Sequence, residues 1–183
     1  MSKNHRWWAL AGASVLGLIF FSTQQTGALW SDTEAIAGGD TITSGTLDIA
    51  VGAGGTAQSD YAFTALAKSG MTPGSFAQAP LTVHNSGNVA MRYRLQNGAQ
   101  SNPAVPLALT VSSVASEGAC PATGSPTGAA QLYSGALVGA QMPAWRSLAP
   151  GASEVLCLRG GITETAAQNA STTATFTFAA EVG

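Results

Sequence analysis

A repeated alternation of apolar and polar residues constrains the fold of this chain more than any other feature. Leu47, Ile49 and Val51 alternate with small or polar residues, and the same period of two returns in residues 107–111 and 174–180. Successive side chains of a strand point to opposite faces, so this period is typical of half-buried β-strands. No apolar period of three to four follows residue 28, and we therefore expect strands rather than helices.

Turn residues separate the alternating segments. Pro73-Gly74 and Pro150-Gly151 fit tight turns, because proline presets φ at the second position and glycine tolerates a positive φ at the third. Ser86-Gly87-Asn88 lies between two alternating segments and predicts a hairpin. The pattern predicts seven or eight strands, within residues 46–51, 61–67, 81–85, 89–96, 107–111, 130–138, 154–159 and 172–182.

The predicted strands are not interleaved with helices, which favours an all-β, antiparallel sandwich of two sheets. A closed barrel is the alternative. Residues 112–130 are almost entirely Ser, Ala, Gly, Pro and Thr, so we expect a long surface loop there.

The first 28 residues have the organisation of an export signal. Lys3 and Arg6 precede residues 7–21, an uncharged run of 15 residues that is shorter than the roughly 20 needed to span a bilayer. Small residues at positions 26 and 28 then predict cleavage between Ala28 and Leu29. This predicts a signal-peptide helix over residues 1–28 and a single secreted domain over 29–183, which contacts the membrane only through the signal peptide before cleavage. The alternative is an uncleaved N-terminal anchor.

The charge balance argues against a nucleic-acid partner. Without residues 1–28 the chain keeps five basic and nine acidic residues, whereas binding to nucleic acid requires a basic face. Charged residues make up only 9% of the sequence, against roughly 25% in ordinary soluble domains. A surface of small uncharged residues suits packing against copies of the same chain or against wall components. A general compositional bias toward small residues would give the same pattern.

Cys120 and Cys157 are the only cysteines, and both follow the predicted cleavage site. An even pair in an exported protein predicts a disulfide. The only histidines, His5 and His84, do not lie at zinc-ligand spacing from either cysteine, so we expect no metal.

No catalytic motif is present, and we expect neither an enzyme nor a cofactor. His84 would have to serve any hydrolase mechanism, but its place in a regular strand favours a surface histidine. An acidic cluster near the predicted mature N-terminus lacks the spacing of a calcium loop and is interpreted as solubilising charge. Arg92 and Arg94 share one strand face, either to bind a carboxylate or phosphate or simply to face solvent. The acidic cluster is Asp32, Glu34 and Asp40.

Several segments together resemble the TasA/camelysin family, whose members are exported through a SipW-type signal peptidase. The most specific is the entry to the mature domain: an aromatic residue, Ser-Asp, an acidic residue and a Gly-Thr-Leu-Asp strand. The low charge and the cysteine pair are similar to an actinobacterial-type member. The residues that carry the resemblance are Trp30, Ser31-Asp32, Glu34 and residues 44–49, with weaker support from residues 72–74, 83–87 and 176–180.

The resemblance implies a jelly-roll-like sandwich that assembles into extracellular fibres of the biofilm matrix by donor-strand exchange. Residues 29–42 would be the donor strand, with Leu29, Trp30 and Ile36 as its apolar anchors. The implied partners are a SipW-type signal peptidase and further copies of the chain. Some family members are described as metalloproteases, but this chain has no metal-binding histidine pair, so that activity is not expected here. The alternative function is a monomeric exported module that binds a carbohydrate or protein ligand.

Overall fold

The computed structural model describes residues 45–54, 58–59, 61–163 and 170–183. The predicted signal-peptide helix, the cleavage site between Ala28 and Leu29, and the donor segment 29–42 lie outside these residues and stay predictions. Gly45–Gly183 forms one compact unit.

The described residues form two antiparallel sheets. The five-stranded sheet has the order β1-β2-β7-β4-β5, and the three-stranded sheet has the order β6-β3-β8. Short 3-10 turns lie at Thr64–Leu66 and Glu117–Ala119. The strands are β1 (Ile49–Gly52), β2 (Phe76–Asn85), β3 (Met91–Gln100), β4 (Leu107–Val114), β5 (Ala130–Ala136), β6 (Arg146–Leu148), β7 (Ser153–Ile162) and β8 (Ala174–Val182).

The core lies between the inner faces of the two sheets. Val83, Leu109 and Leu158 of the larger sheet and Tyr93 and Leu95 of the smaller one are fully buried. All but Leu158 belong to alternating segments, whose period of two sends these side chains to one face and polar ones to the other; Leu158 ends a continuous apolar run over residues 155–158. The predicted all-β antiparallel sandwich is confirmed.

Three strand pairs follow the scheme of a jelly roll. Rolling up one long hairpin of eight strands pairs the first with the eighth, the second with the seventh, the third with the sixth and the fourth with the fifth. The pairs β2–β7, β3–β6 and β4–β5 are present, but β1 pairs with β2. Within the described part of the chain, β8 therefore lacks the neighbour that a complete jelly roll would give it.

The predicted hairpin around Ser86-Gly87-Asn88 is wrong, because β2 and β3 belong to different sheets. Asn85 closes the corner between them. Its Nδ2 donates to the carbonyls of Val89, at 2.9 Å, and Leu148, at 3.1 Å, and its Oδ1 accepts from the backbone N–H of Gly87. A side chain on Gly87 would collide with the carbonyl of Thr46, so the corner requires glycine.

Two further predictions of local structure are corrected. The strand expected at residues 61–67 is absent: Thr64–Leu66 forms a 3-10 turn, and Tyr61 and Phe63 before it pack against the core without joining a sheet. The loop expected at residues 112–130 is shorter, because Ser112 and Ser113 extend β4 by pairing with β7 and Ala130 begins β5.

The remaining loop, residues 115–129, is fastened to the outer face of the five-stranded sheet. The predicted disulfide between Cys120 and Cys157 is present, with a Cα–Cα distance of 5.5 Å. Gln78 donates to the carbonyl of Pro121 at 2.6 Å, and Glu117 accepts from the Thr82 hydroxyl at 2.8 Å. The loop thus shields the middle of that face.

Candidate functional site

The outer edge of β8 is the largest unpaired backbone feature at the smaller sheet. β8 has nine residues and pairs with β3 on one side; no strand of the described ranges pairs with its other side. Such an edge presents a row of free N–H and C=O groups that can accept another strand. The candidate site is therefore an exposed strand edge rather than a pocket.

Inward-facing apolar side chains of β8 are incompletely covered. Phe178 lies opposite Leu95 in the register, and Val182 lies opposite Met91. Leu95 and Met91 are fully buried, whereas Phe178 is only half-buried and Val182 is 63% exposed. The hydrophobic interior is thus open at the β8 edge and closed one strand further in.

The first strand of the other sheet has a similar pattern. Ile49 and Val51 of β1 pack against the core but stay half-buried, and Leu47, just before the strand, is 38% exposed. Val83 opposite Val51 is fully buried. An additional strand at either edge would cover apolar surface that the described residues leave accessible.

No residue of the predicted assembly strand or cleavage site can be placed against this edge. Ala28, Leu29, Trp30 and Ile36 lie outside the described residues. The same holds for the acidic cluster of Asp32, Glu34 and Asp40. The structure therefore supplies a candidate acceptor, and the donor remains a sequence prediction.

His84 has a polar partner but no carboxylate. Its Nδ1 lies 2.9 Å from the Ser153 Oγ on the neighbouring strand β7. A Ser-His-Asp arrangement needs an acid on the second ring nitrogen, and among the described residues none is bonded there. The part of the chain that the structure describes also contains no cluster of three or more His, Cys, Asp or Glu side chains suited to a metal. None of its helices has the length and apolar character required to cross a membrane.

Arg92 and Arg94 do share the outer face of the three-stranded sheet, together with Trp145. Arg92 Nε lies 2.7 Å from a carboxylate oxygen of Glu181, its partner on β8. The guanidinium carbon of Arg94 lies 4.4 Å from the Trp145 ring centroid, within the range of a cation–π contact. Glu181 already occupies one of the two arginines, so the pair is a poorer anion site than its sequence spacing indicates.

Comparisons with known proteins add no assignment. The sequence matches no family model, and a search of curated proteins finds no significant match. The resemblance to the TasA/camelysin family rests on the motifs described above.

Proposed function

We propose that this protein is a secreted structural subunit of the cell surface or extracellular matrix that assembles into fibres. Residues 29–42 of one copy would add as a strand to the outer edge of β8 in the next copy. The observation that carries this proposal is the outer edge of β8, which pairs with no strand among the described residues and carries half-buried Phe176 and Phe178 and exposed Val182.

Strand addition would satisfy two needs of this edge together. Backbone groups of the added strand would pair with the free N–H and C=O groups of β8. Apolar side chains of the donor, Leu29, Trp30 and Ile36, would cover the exposed inward face. Each fully buried side chain of this kind contributes about 1.5–3 kcal/mol.

Cleavage would control the assembly. While residue 29 is joined to the signal peptide, the donor segment is tethered to the membrane. Cleavage by a SipW-type signal peptidase between Ala28 and Leu29 would release it for a second copy. Each subunit would then donate one strand and accept one, and such head-to-tail contacts extend into a filament unless the ring closes.

The donor is tested by deletion. N-terminal sequencing of the secreted protein should begin at Leu29, and electron microscopy of the same sample should show fibres. Deleting residues 29–42 after an intact cleavage site should leave only monomers. Fibres of unchanged length from the deletion variant, or a secreted protein that stays monomeric at high concentration, would contradict the proposal.

The acceptor edge is tested with a matched pair of surface variants. Val182→Lys places a charge at the exposed inward position of β8, where lysine disfavours strand pairing, and should reduce fibre formation. Val138→Lys is the control, because Val138 is 59% exposed and follows β5 in the other sheet. Fibre yield by light scattering should fall for Val182→Lys only. Equal yields from both variants would exclude this edge as the acceptor.

A further inference from the structure

A small cleft on the outer face of the five-stranded sheet is separate from the β8 edge. It has a volume of about 150 Å³ and lies above Gly161 of β7. Phe76 of β2 and Ala108 of β4 flank Gly161 in the register, and Thr110 pairs with Arg159 two residues away. Gly161 and Ser75 both line the cleft, and a Cβ on Gly161 would lie 3.3 Å from the Ser75 carbonyl oxygen.

Arg159 is the charged wall of this cleft. Its guanidinium carbon lies 3.6 Å from the centroid of the Phe76 ring, a stacked contact that orients the planar group. Lys68 Nζ lies 5.9 Å from the same ring and donates to the Phe76 carbonyl. Arg159 and Lys68 therefore both lie within cation–π distance of the Phe76 ring.

Neither of these cations is neutralised by an acid in the described ranges. The ion pairs there are Arg92–Glu181 and Arg146–Glu154, and Arg159 makes no hydrogen bond within the same residues. A stacked guanidinium keeps its edge N–H groups free, and this edge can donate two parallel hydrogen bonds to a carboxylate. In a chain whose net charge is −2, an unpaired pair of cations beside a cleft is a specific feature.

The other walls fit a sugar ring. Thr110 and Thr163 offer hydroxyl groups, which pair with sugar hydroxyls, and Ala108 and the Phe76 ring offer apolar contact to C–H groups. Drug-sized ligands occupy clefts of about 300–1,000 Å³, so this smaller cleft would hold a single unit of a longer molecule.

We propose that this cleft binds an acidic sugar unit, a uronate, within a polysaccharide. The carboxylate pairs with Arg159, Lys68 adds a long-range attraction, and the hydroxyls of Thr110 and Thr163 orient the ring. This inference is independent of fibre assembly, because it uses the opposite sheet from β8. It also gives a specific site to an exported protein without a catalytic motif.

Binding is measured by isothermal titration calorimetry of the purified protein with a galacturonate oligosaccharide. The comparison ligands are an uncharged glucose oligosaccharide of equal length and inorganic phosphate. Galacturonate should bind, and both comparison ligands should bind at least about tenfold more weakly, because each lacks one part of the recognition. Raising the salt concentration should weaken galacturonate binding.

Arg159→Gln keeps the length of the side chain, removes its charge, and should weaken galacturonate binding about tenfold or more. Arg92→Gln is the matched control, because it removes an arginine from the other sheet and should leave binding unchanged. Thermal melting of both variants checks that they remain folded. The proposal is overturned if folded Arg159→Gln binds as the wild type does, if Arg92→Gln loses as much affinity, or if phosphate or the neutral sugar binds equally well.

Discussion

Three polar side chains join the two sheets at the level of single residues. Tyr93 of β3 donates from its hydroxyl to the Glu154 carboxylate of β7 at 2.6 Å. Arg146 of β6 donates through Nε to both oxygens of the same carboxylate, at 2.8 and 2.9 Å. Burial of Tyr93 raises the pKa of its hydroxyl above the usual value near 10, and the hydrogen bond to the negatively charged Glu154 raises it further. This network connects the buried Tyr93 to a partly exposed ion pair between Arg146 and Glu154.

Tyr93→Phe is expected to lower the free energy of unfolding by about 1–3 kcal/mol at neutral pH, because it removes a hydrogen bond to a charged acceptor. In the wild type, stability should also fall as pH rises above about 10, since the unfolded tyrosine ionises there while the folded one stays protonated. The Tyr93→Phe variant should show a smaller decrease in stability above pH 10, because it lacks this ionisable group. Urea unfolding at pH 8 and pH 10.5 measures both effects.

The control for this prediction is Tyr133→Phe, which removes a phenolic hydroxyl from β5. That hydroxyl donates to the Ala136 carbonyl in the same strand. That variant leaves the network between the sheets intact. A Tyr93→Phe protein with wild-type stability at pH 8 and the wild-type decline above pH 10 would show that the network does not stabilise the fold.

At the level of elements, the loop of residues 115–129 stabilises the outer face of the five-stranded sheet through one covalent link. The disulfide joins residues 37 positions apart and connects this loop to the central strand β7. Glu117 and Gln78 add hydrogen bonds on either side of it. A segment rich in alanine and glycine is therefore held against the sheet rather than forming a free loop.

Replacing both Cys120 and Cys157 with alanine is expected to lower the free energy of unfolding by about 3–4 kcal/mol, from the chain entropy that the closed loop removes from the unfolded state. Alanine avoids burying a new hydroxyl, since both cysteines are almost fully buried. Calorimetry should show a lower melting temperature for the variant. Wild type treated with reductant should match it, and an unchanged melting temperature in either sample would contradict the prediction.

At the scale of the whole molecule, Gly45–Gly183 forms a unit with its own core. Its central residues, including Val83, Tyr93, Leu109 and Leu158, are fully buried. Among the described residues the edge strands of the two sheets are β1, β5, β6 and β8, and β8 is the edge strand used in the proposed assembly.

Residues 45–183 expressed alone in an oxidising compartment are expected to fold with a single cooperative urea transition, because strand pairing and the core lie within them. Fluorescence and far-UV circular dichroism should give coincident transitions. Non-coincident transitions, or an unfolded product with the disulfide formed, would show that residues before 45 are required for the core. The same protein should form no fibres if residues 29–42 are the donor.

Individual strands and the disulfide of this protein can be predicted from short stretches of its sequence. Alternation at Leu107 to Val111 and at Ala174 to Ala180 correctly predicts β4 and β8, because the side-chain period of a strand depends only on the strand itself. The even cysteine pair correctly predicts the disulfide. By contrast, residues 61–67 alternate in part but pair with no strand in the described ranges, and Thr64–Leu66 forms a 3-10 turn instead.

Pairing between strands depends on contacts that are distant in sequence. The local alternation of apolar and polar residues therefore does not predict which strands pair. Two alternating segments around Ser86-Gly87-Asn88 resemble a hairpin, yet Asn85 bonds Leu148 across the corner and sends β3 into the other sheet. The same long-range pairing leaves β8 with β3 as its one neighbour in the described part of the chain, and it brings Phe76, Thr110 and Arg159 around one cleft. A period of two specifies which residues face inward, whereas the competition among all strands for partners specifies which edge stays open.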